Sequence, residues 1–85
     1  MPEDRLLEHH FTKPQGQYLA FIVAYTKLNR RAPAEADFRH YVAVTAPSVH
    51  NVIVTLERGG LITRTPGRAR SIEVLLSPSE VPPLD

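Results

Sequence analysis

Residues 44–62 read VTAPSVHNVIVTLERGGLI, from Val44 to Ile62. Thr45 is a good helix cap, and Pro47 suits an opening turn, where a missing N–H costs nothing. Gly59-Gly60 supplies the left-handed residue that closes a helix. The stretch therefore predicts a helix over about Ala46–Arg58. At 100° per residue, Val49, Val52, Ile53 and Leu56 share one face, which is apolar and suited to a core. The opposite face presents Pro47, His50, Asn51, Val54 and Arg58, with Ser48 and Thr55 at its edges. Leu61-Ile-Thr-Arg64 then reads as a strand.

Two earlier helices precede it. Arg31-Ala-Pro33 breaks the chain, because the residue before proline is pushed out of the helical region. A short helix follows over about Ala34–Val42, with Glu35 and Asp37 in its first turn, where acids are favoured. Ala34, Phe38, Tyr41 and Val42 recur at helical spacing. Further back, Thr12-Lys-Pro-Gln15 forms a capping box, and the first helix runs to about Asn29 or Arg30. Its middle, Tyr18–Tyr25, is apolar nearly all round, more than a one-sided surface helix needs. That excess suits a central strut of the core, and it leaves room for a dimer interface on one side.

Beyond Leu61–Arg64, a second strand-like run, Ser71-Ile-Glu-Val-Leu-Leu76, is separated from the first by the arginine-rich turn Thr65-Pro-Gly-Arg-Ala-Arg70. The expected organisation is a flexible N-terminal arm over 1–11, a folded unit over 12–76, and a Pro-rich C-terminal tail over 77–85. That tail holds Pro78, Pro82 and Pro83 and is expected to be extended. The fold class is mainly α with a small β-hairpin: three helices plus a two-stranded wing, the layout of a winged helix-turn-helix.

With 85 residues and a 42% apolar share, the chain has enough core for one domain and little room for a deep catalytic cleft. It has no cysteine. That removes disulfides, cysteine-based zinc sites and thiol catalysis, and fits a reducing cytoplasm. No apolar run approaches the roughly 18–20 residues that span a bilayer, and the polar start Met1-Pro-Glu-Asp-Arg5 does not open a signal peptide. The net charge of +1 is unevenly spread: Thr12–Leu76 carries nine Lys and Arg against four Asp and Glu, between acidic ends. A basic middle suits a module that meets phosphate.

Arg31-Ala-Pro33 ahead of the second helix, Val44-Thr-Ala-Pro-Ser-Val49 opening the third, and Leu56-Glu-Arg-Gly-Gly-Leu-Ile62 leading into the wing occur in that order. In these segments the sequence resembles the DNA-binding domain of LexA-type repressors and the related MarR-like winged-helix regulators, over about Pro14–Leu76. It departs from them in three ways. Ala43 stands where many helix-turn-helix turns have glycine, at about 1 kcal/mol if that residue is left-handed. The third helix is about one residue shorter between Pro47 and Leu61 than in LexA itself. The sequence to Asp85 also lacks the C-terminal self-cleaving, dimerising domain of such repressors, so a dimer is expected to form by other means, through the first helix or the tails.

The resemblance implies a sequence-specific regulator, a repressor, of double-stranded DNA. Its third helix would enter the major groove, where N-terminal residues reach base edges best. Asn51 suits bidentate pairing with adenine. His50 and Ser48 can donate or accept, while Val54 or the Thr55 methyl suits a thymine methyl. Arg64, Arg68 and Arg70, with no acid among them, suit phosphate or a narrow minor groove. Lys13 and the amides opening the first helix suit a further phosphate, and Arg39 is a weaker candidate. The DNA-contacting set is thus Lys13, Arg39, Thr45, Pro47, Ser48, His50, Asn51, Val54, Thr55, Arg58, Arg64, Arg68 and Arg70.

Catalysis is not expected. Ser48, His50 and Asp37 have no triad spacing, and there is no nucleophile elbow. Gly59-Gly60 lacks the Lys-Ser/Thr of a phosphate loop. No zinc signature accompanies His9 and His10, and no cofactor or metal is expected. The competing reading is a winged-helix adaptor for protein partners, in which the wing arginines meet an acidic surface.

Overall fold

A computed structural model describes residues 11–42 and 46–84, with only the backbone described for Val42, Ala46 and Pro47. The N-terminal arm as far as His10, the capping role of Thr45 and the conformation of Ala43 lie outside the described residues. The first helix, α1, spans Lys13–Asn29 and opens as the sequence predicts. The Thr12 N–H donates to Gln15 Oε1 at 2.8 Å, and the Gln15 N–H donates to Thr12 Oγ1 at 3.2 Å. Each closes an amide that a helix start otherwise leaves open. The helix ends where Arg30 turns left-handed (φ 58°) and donates its N–H to the Thr26 carbonyl at 2.8 Å.

Helix α2 spans Glu35–Val42 and α3 spans Ala46–Arg58. Asp37 reaches back to accept from the Ala34 N–H at 2.8 Å, which closes the start of α2. Helix α3 ends in a Schellman motif. The Leu61 N–H bonds to the Leu56 carbonyl, and the Gly60 N–H to that of Glu57. Gly60 is left-handed, with φ 76°, and Leu56 and Leu61 are both buried at the join. This closure turns the chain directly from the end of α3 into the hairpin.

The core lies where the three helices meet the hairpin. Leu19, Ile22, Phe38, Val49, Ile53, Leu56, Ile62 and Ile72 are buried in it, each such burial contributing roughly 1.5–3 kcal/mol. Phe38 anchors α2 to α1, with its ring 5.3 Å from Tyr18 and 4.9 Å from Phe21. The faces of α3 follow the predicted division: Val49, Ile53 and Leu56 are fully buried, and Val52 packs against them.

The hairpin and tail differ from expectation. Strands β1, Ile62–Thr63, and β2, Glu73–Val74, are two residues each, paired antiparallel with Ile62 opposite Val74 and Thr63 opposite Glu73. The Ser71 side chain shortens the ladder. Its hydroxyl accepts from the Thr65 N–H and donates toward the carbonyls of Thr65 and Arg68, so the chain between the strands is tied by a side chain. Thr65-Pro66-Gly67-Arg68 forms a tight turn, with Gly67 at φ 75° and the Arg68 N–H on the Thr65 carbonyl. That is the conformation Pro-Gly favours at its centre.

The tail is folded rather than extended. Pro78–Glu80 forms a short 3-10 turn, with Glu80 accepting from both the Ser77 N–H and its hydroxyl. Val81 packs on the core, and Gln17 Nε2 donates to the Pro83 carbonyl at 2.9 Å. Gly16 allows this docking: a Cβ there would sit 2.9 Å from the Phe11 ring and 3.0 Å from Pro82.

Candidate nucleic-acid interface

The outward face of α3 holds Ser48, His50, Asn51, Thr55 and Arg58, all exposed, with Val54 half-buried. Pro47 lies in the first turn of the helix; its side chain and Thr45 lie outside the described residues. Thr55 turns its hydroxyl back onto the Asn51 carbonyl at 2.9 Å, so its methyl is the part left to face a partner. Arg58 closes the basic last turn. Asn51 also lines a hollow of about 250 Å³ that it shares with Thr12, Pro14, Gln15, Val52 and Thr55. The opening of α1 therefore adjoins the α3 face. Pro14 has no N–H and the cap occupies that of Gln15, so the exposed Lys13 ammonium is the principal cationic group there. Arg39 is exposed in the last turn of α2.

The hairpin lies beside α3. The Arg64 guanidinium grips Glu57 Oε1 through Nη2 at 2.9 Å and Nε at 3.3 Å. A second hollow of about 250 Å³ is lined by Glu57, Pro66, Gly67 and Arg68 among others, so the wing tip flanks the same helix. Arg64 Nη1 also lies 3.9 Å from Glu35 Oε2, the oxygen that bonds His50 Nδ1 at 3.1 Å. A chain of charged and polar side chains thus runs from Glu57 through Arg64 and Glu35 to His50.

Arg70 is also held within the fold. Its Nη1 donates to the Tyr25 hydroxyl at 3.2 Å, the Ala32 carbonyl at 3.1 Å and Asp37 Oδ2 at 3.1 Å. The Ala34 N–H and, against a burial penalty, the charge of Arg70 hold the Asp37 carboxyl below the usual carboxylate range. Hydrogen bonding to Tyr25 and the charge of Asp37 push the Arg70 guanidinium upward. Arg70 adopts a left-handed backbone (φ 55°), a strain that these three bonds offset.

Of the three wing arginines, only Arg68 is exposed without an ion pair among the described residues. The sequence around the wing has no acid between Arg64 and Arg70; the partners arrive from α2 and α3. The partners of Arg70 lie 33–45 residues away in the sequence, whereas Glu57 stands seven residues before Arg64, across the Gly59-Gly60 turn. The sequence signal for the α2 partners is the pair of acids in its first turn, Glu35 and Asp37, which suit the helix dipole as well as the wing.

Three helices, the second and third separated by three residues of sequence, and a hairpin alongside the third define a winged helix-turn-helix. The sequence pattern of the family described as LexA DNA binding domain matches residues 8–71. The chain belongs to that family, the LexA side of the resemblance. It is 33% identical over 70 residues to the LexA repressor of Thermosipho africanus, covering 82% of this chain and 35% of that protein. With the LexA repressor of Exiguobacterium sibiricum it shares 37% over 70 residues, covering 81% and 34%. A third LexA repressor, from Thermosipho melanesiensis, is 33% identical over 64 residues, covering 75% and 32%. The chain thus spans about a third of the length of these relatives. The family is a DNA-binding domain rather than an enzymatic one. No helix among the described residues is long and apolar enough to cross a membrane.

Proposed function

We propose that this chain is a sequence-specific reader of double-stranded DNA that acts as a transcriptional repressor in the cytoplasm. Helix α3 enters the major groove, and Ser48, His50, Asn51 and Val54 face base edges there. Asn51 makes a bidentate contact to adenine. Arg68 at the wing tip meets phosphate or the narrow groove, and Lys13, Arg39 and Arg58 meet backbone phosphates. Thr45, Pro47 and the Thr55 methyl complete the contact set. Arg64 and Arg70 act as supports that fix the wing rather than as direct contacts. The domain reads a short palindrome as a dimer.

One observation carries this reading: the exposed, mostly uncharged face of α3 shares a hollow with the opening of α1, and the wing tip flanks the same helix at Glu57, so one duplex can touch all three elements. Selecting bound duplexes from a random pool tests it. The expected result is a palindromic motif whose binding weakens steeply with salt, as neutralising several phosphates requires. Failure to bind duplex DNA at low salt would instead identify a protein adaptor.

A further inference from the structure

His50 has two ring nitrogens, and the structure places them differently. Nδ1 is 3.1 Å from Glu35 Oε2. A carboxylate oxygen only accepts, so Nδ1 carries the proton. In the neutral ring the other nitrogen, Nε2, is then an acceptor. It lies across the ring from Glu35, and it has no hydrogen-bond partner among the described residues. The side chain is 55% exposed and belongs to the same face as Asn51. Glu35 is itself braced: Arg64 Nη1 lies 3.9 Å from the same oxygen, and Glu57 holds Arg64 from the far side.

We propose that Glu35 and His50 form a base-reading pair, in which Glu35 fixes the ring tautomer and His50 Nε2 accepts a hydrogen bond from an exocyclic amine in the major groove. The pair deepens the reading given above and rests on α3 entering that groove. Only two bases offer such a donor there, adenine through N6 and cytosine through N4; guanine and thymine present acceptors at the corresponding edge. His50 therefore selects adenine or cytosine and repels the other two, because two facing acceptors leave both unsatisfied. Glu35 is a positioning residue, separated from the base by the ring.

The test uses the full chain in two measurements. Without DNA, nitrogen-15 correlation spectra of the imidazoles are recorded at a pH about two units above the ordinary histidine value, with His50→Ala identifying the signal. The expected result is the Nδ1–H tautomer at His50 in the wild type and a mixture of tautomers in Glu35→Ala. Selection from a random duplex pool is then run on the wild type, Glu35→Ala and His50→Ala. The wild-type motif fixes adenine or cytosine at one position of each half-site. Glu35→Ala loses roughly fivefold of the discrimination there, about the worth of one hydrogen bond. His50→Ala loses that position alone and keeps the rest.

Thermal melts confirm that both variants remain folded, as exposed positions allow; a variant that fails to fold is replaced by His50→Leu or Glu35→Leu, which also lack the acceptor. An Nε2–H tautomer in the wild type, or a tautomer indifferent to Glu35, overturns the pair. So does a motif that survives His50→Ala unchanged. If the wild type selects no motif at all, the groove reading falls and takes the pair with it.

Discussion

Helix α3 and the wing both face outward beside each other, yet they present their polar groups in different ways. The α3 face carries short, mostly uncharged side chains that remain exposed. The wing carries three arginines, and two of them are turned inward onto Glu57 and Asp37. The charge written on a loop is therefore larger than the charge it offers to a partner. On the proposed reading the helix supplies discrimination, while the wing offers one exposed cation, Arg68, on a braced support.

Four outcomes test that contrast. The largest is expected from Asn51→Ala. It should remove about 1–3 kcal/mol of discrimination at one base pair, the usual worth of a bidentate contact. Competition between matched and mismatched duplexes measures this, and binding to random DNA should stay as it was. An equal loss on every duplex would move Asn51 from base to backbone.

Arg70→Met comes next. It removes one donor from Asp37, which keeps the Ala34 N–H, and a side-chain donor from the Ala32 carbonyl, so the melting temperature should fall by roughly a few degrees. At this chain length, each kcal/mol lowers the melting temperature by about 4–8 °C. The salt dependence of DNA binding should not change. A changed salt slope with an unchanged melt would return Arg70 to the phosphate-contacting set.

Acid should act through the same cluster. The folded state depresses the Asp37 carboxyl, chiefly through the Ala34 N–H. Such a group stabilises fully above its unfolded value of about 3.9, and that contribution is lost as pH falls through the lower folded value. Urea melts of the wild type and Asp37→Asn should therefore differ most near neutrality and converge in strong acid. A gap that stays constant with pH would show that Asp37 acts through shape rather than charge.

Arg68→Ala should have the smallest effect on the fold, within about 0.5 kcal/mol for an exposed position. Its signature is electrostatic: weaker binding to all duplexes alike and a salt slope lower by about one unit. Unchanged nonspecific affinity would strip the wing of its DNA contact.

Much of this architecture was legible because its causes are local. The Thr12–Gln15 cap, the breaks at Pro33 and Pro47, the Gly59-Gly60 closure and the two faces of α3 each depend on residues within a few positions of one another. The third helix accordingly has the bounds the sequence suggested, Ala46–Arg58. The strands are shorter than the runs Leu61–Arg64 and Ser71–Leu76 suggest, because the Ser71 hydroxyl draws the backbone of Thr65 and Arg68 into a tied loop. The prolines of the tail suggest an extended chain, whereas it folds back on α1. Its docking depends on Gly16 and Gln17, more than sixty residues earlier in the chain. Among the candidate contacts, the identity of the α3 residues followed from periodicity. The partners of Arg64 and Arg70 did not, because only the folded chain brings α2 and α3 to the hairpin.

Arg70 also bears on the cost of recognition. One nitrogen of its guanidinium joins the hairpin to α1, to the connection after it and to α2. Together with Arg64, which ties the hairpin to Glu57 of α3, Arg70 sets the spacing between the hairpin and α3 in the fold itself. Immobilising a mobile side chain on binding costs about 0.5–1.5 kcal/mol, and here that ordering is completed during folding. On the proposed reading, the domain would meet its target as a preset caliper whose jaws need little adjustment, and DNA of the wrong groove width would be rejected by geometry rather than accommodated.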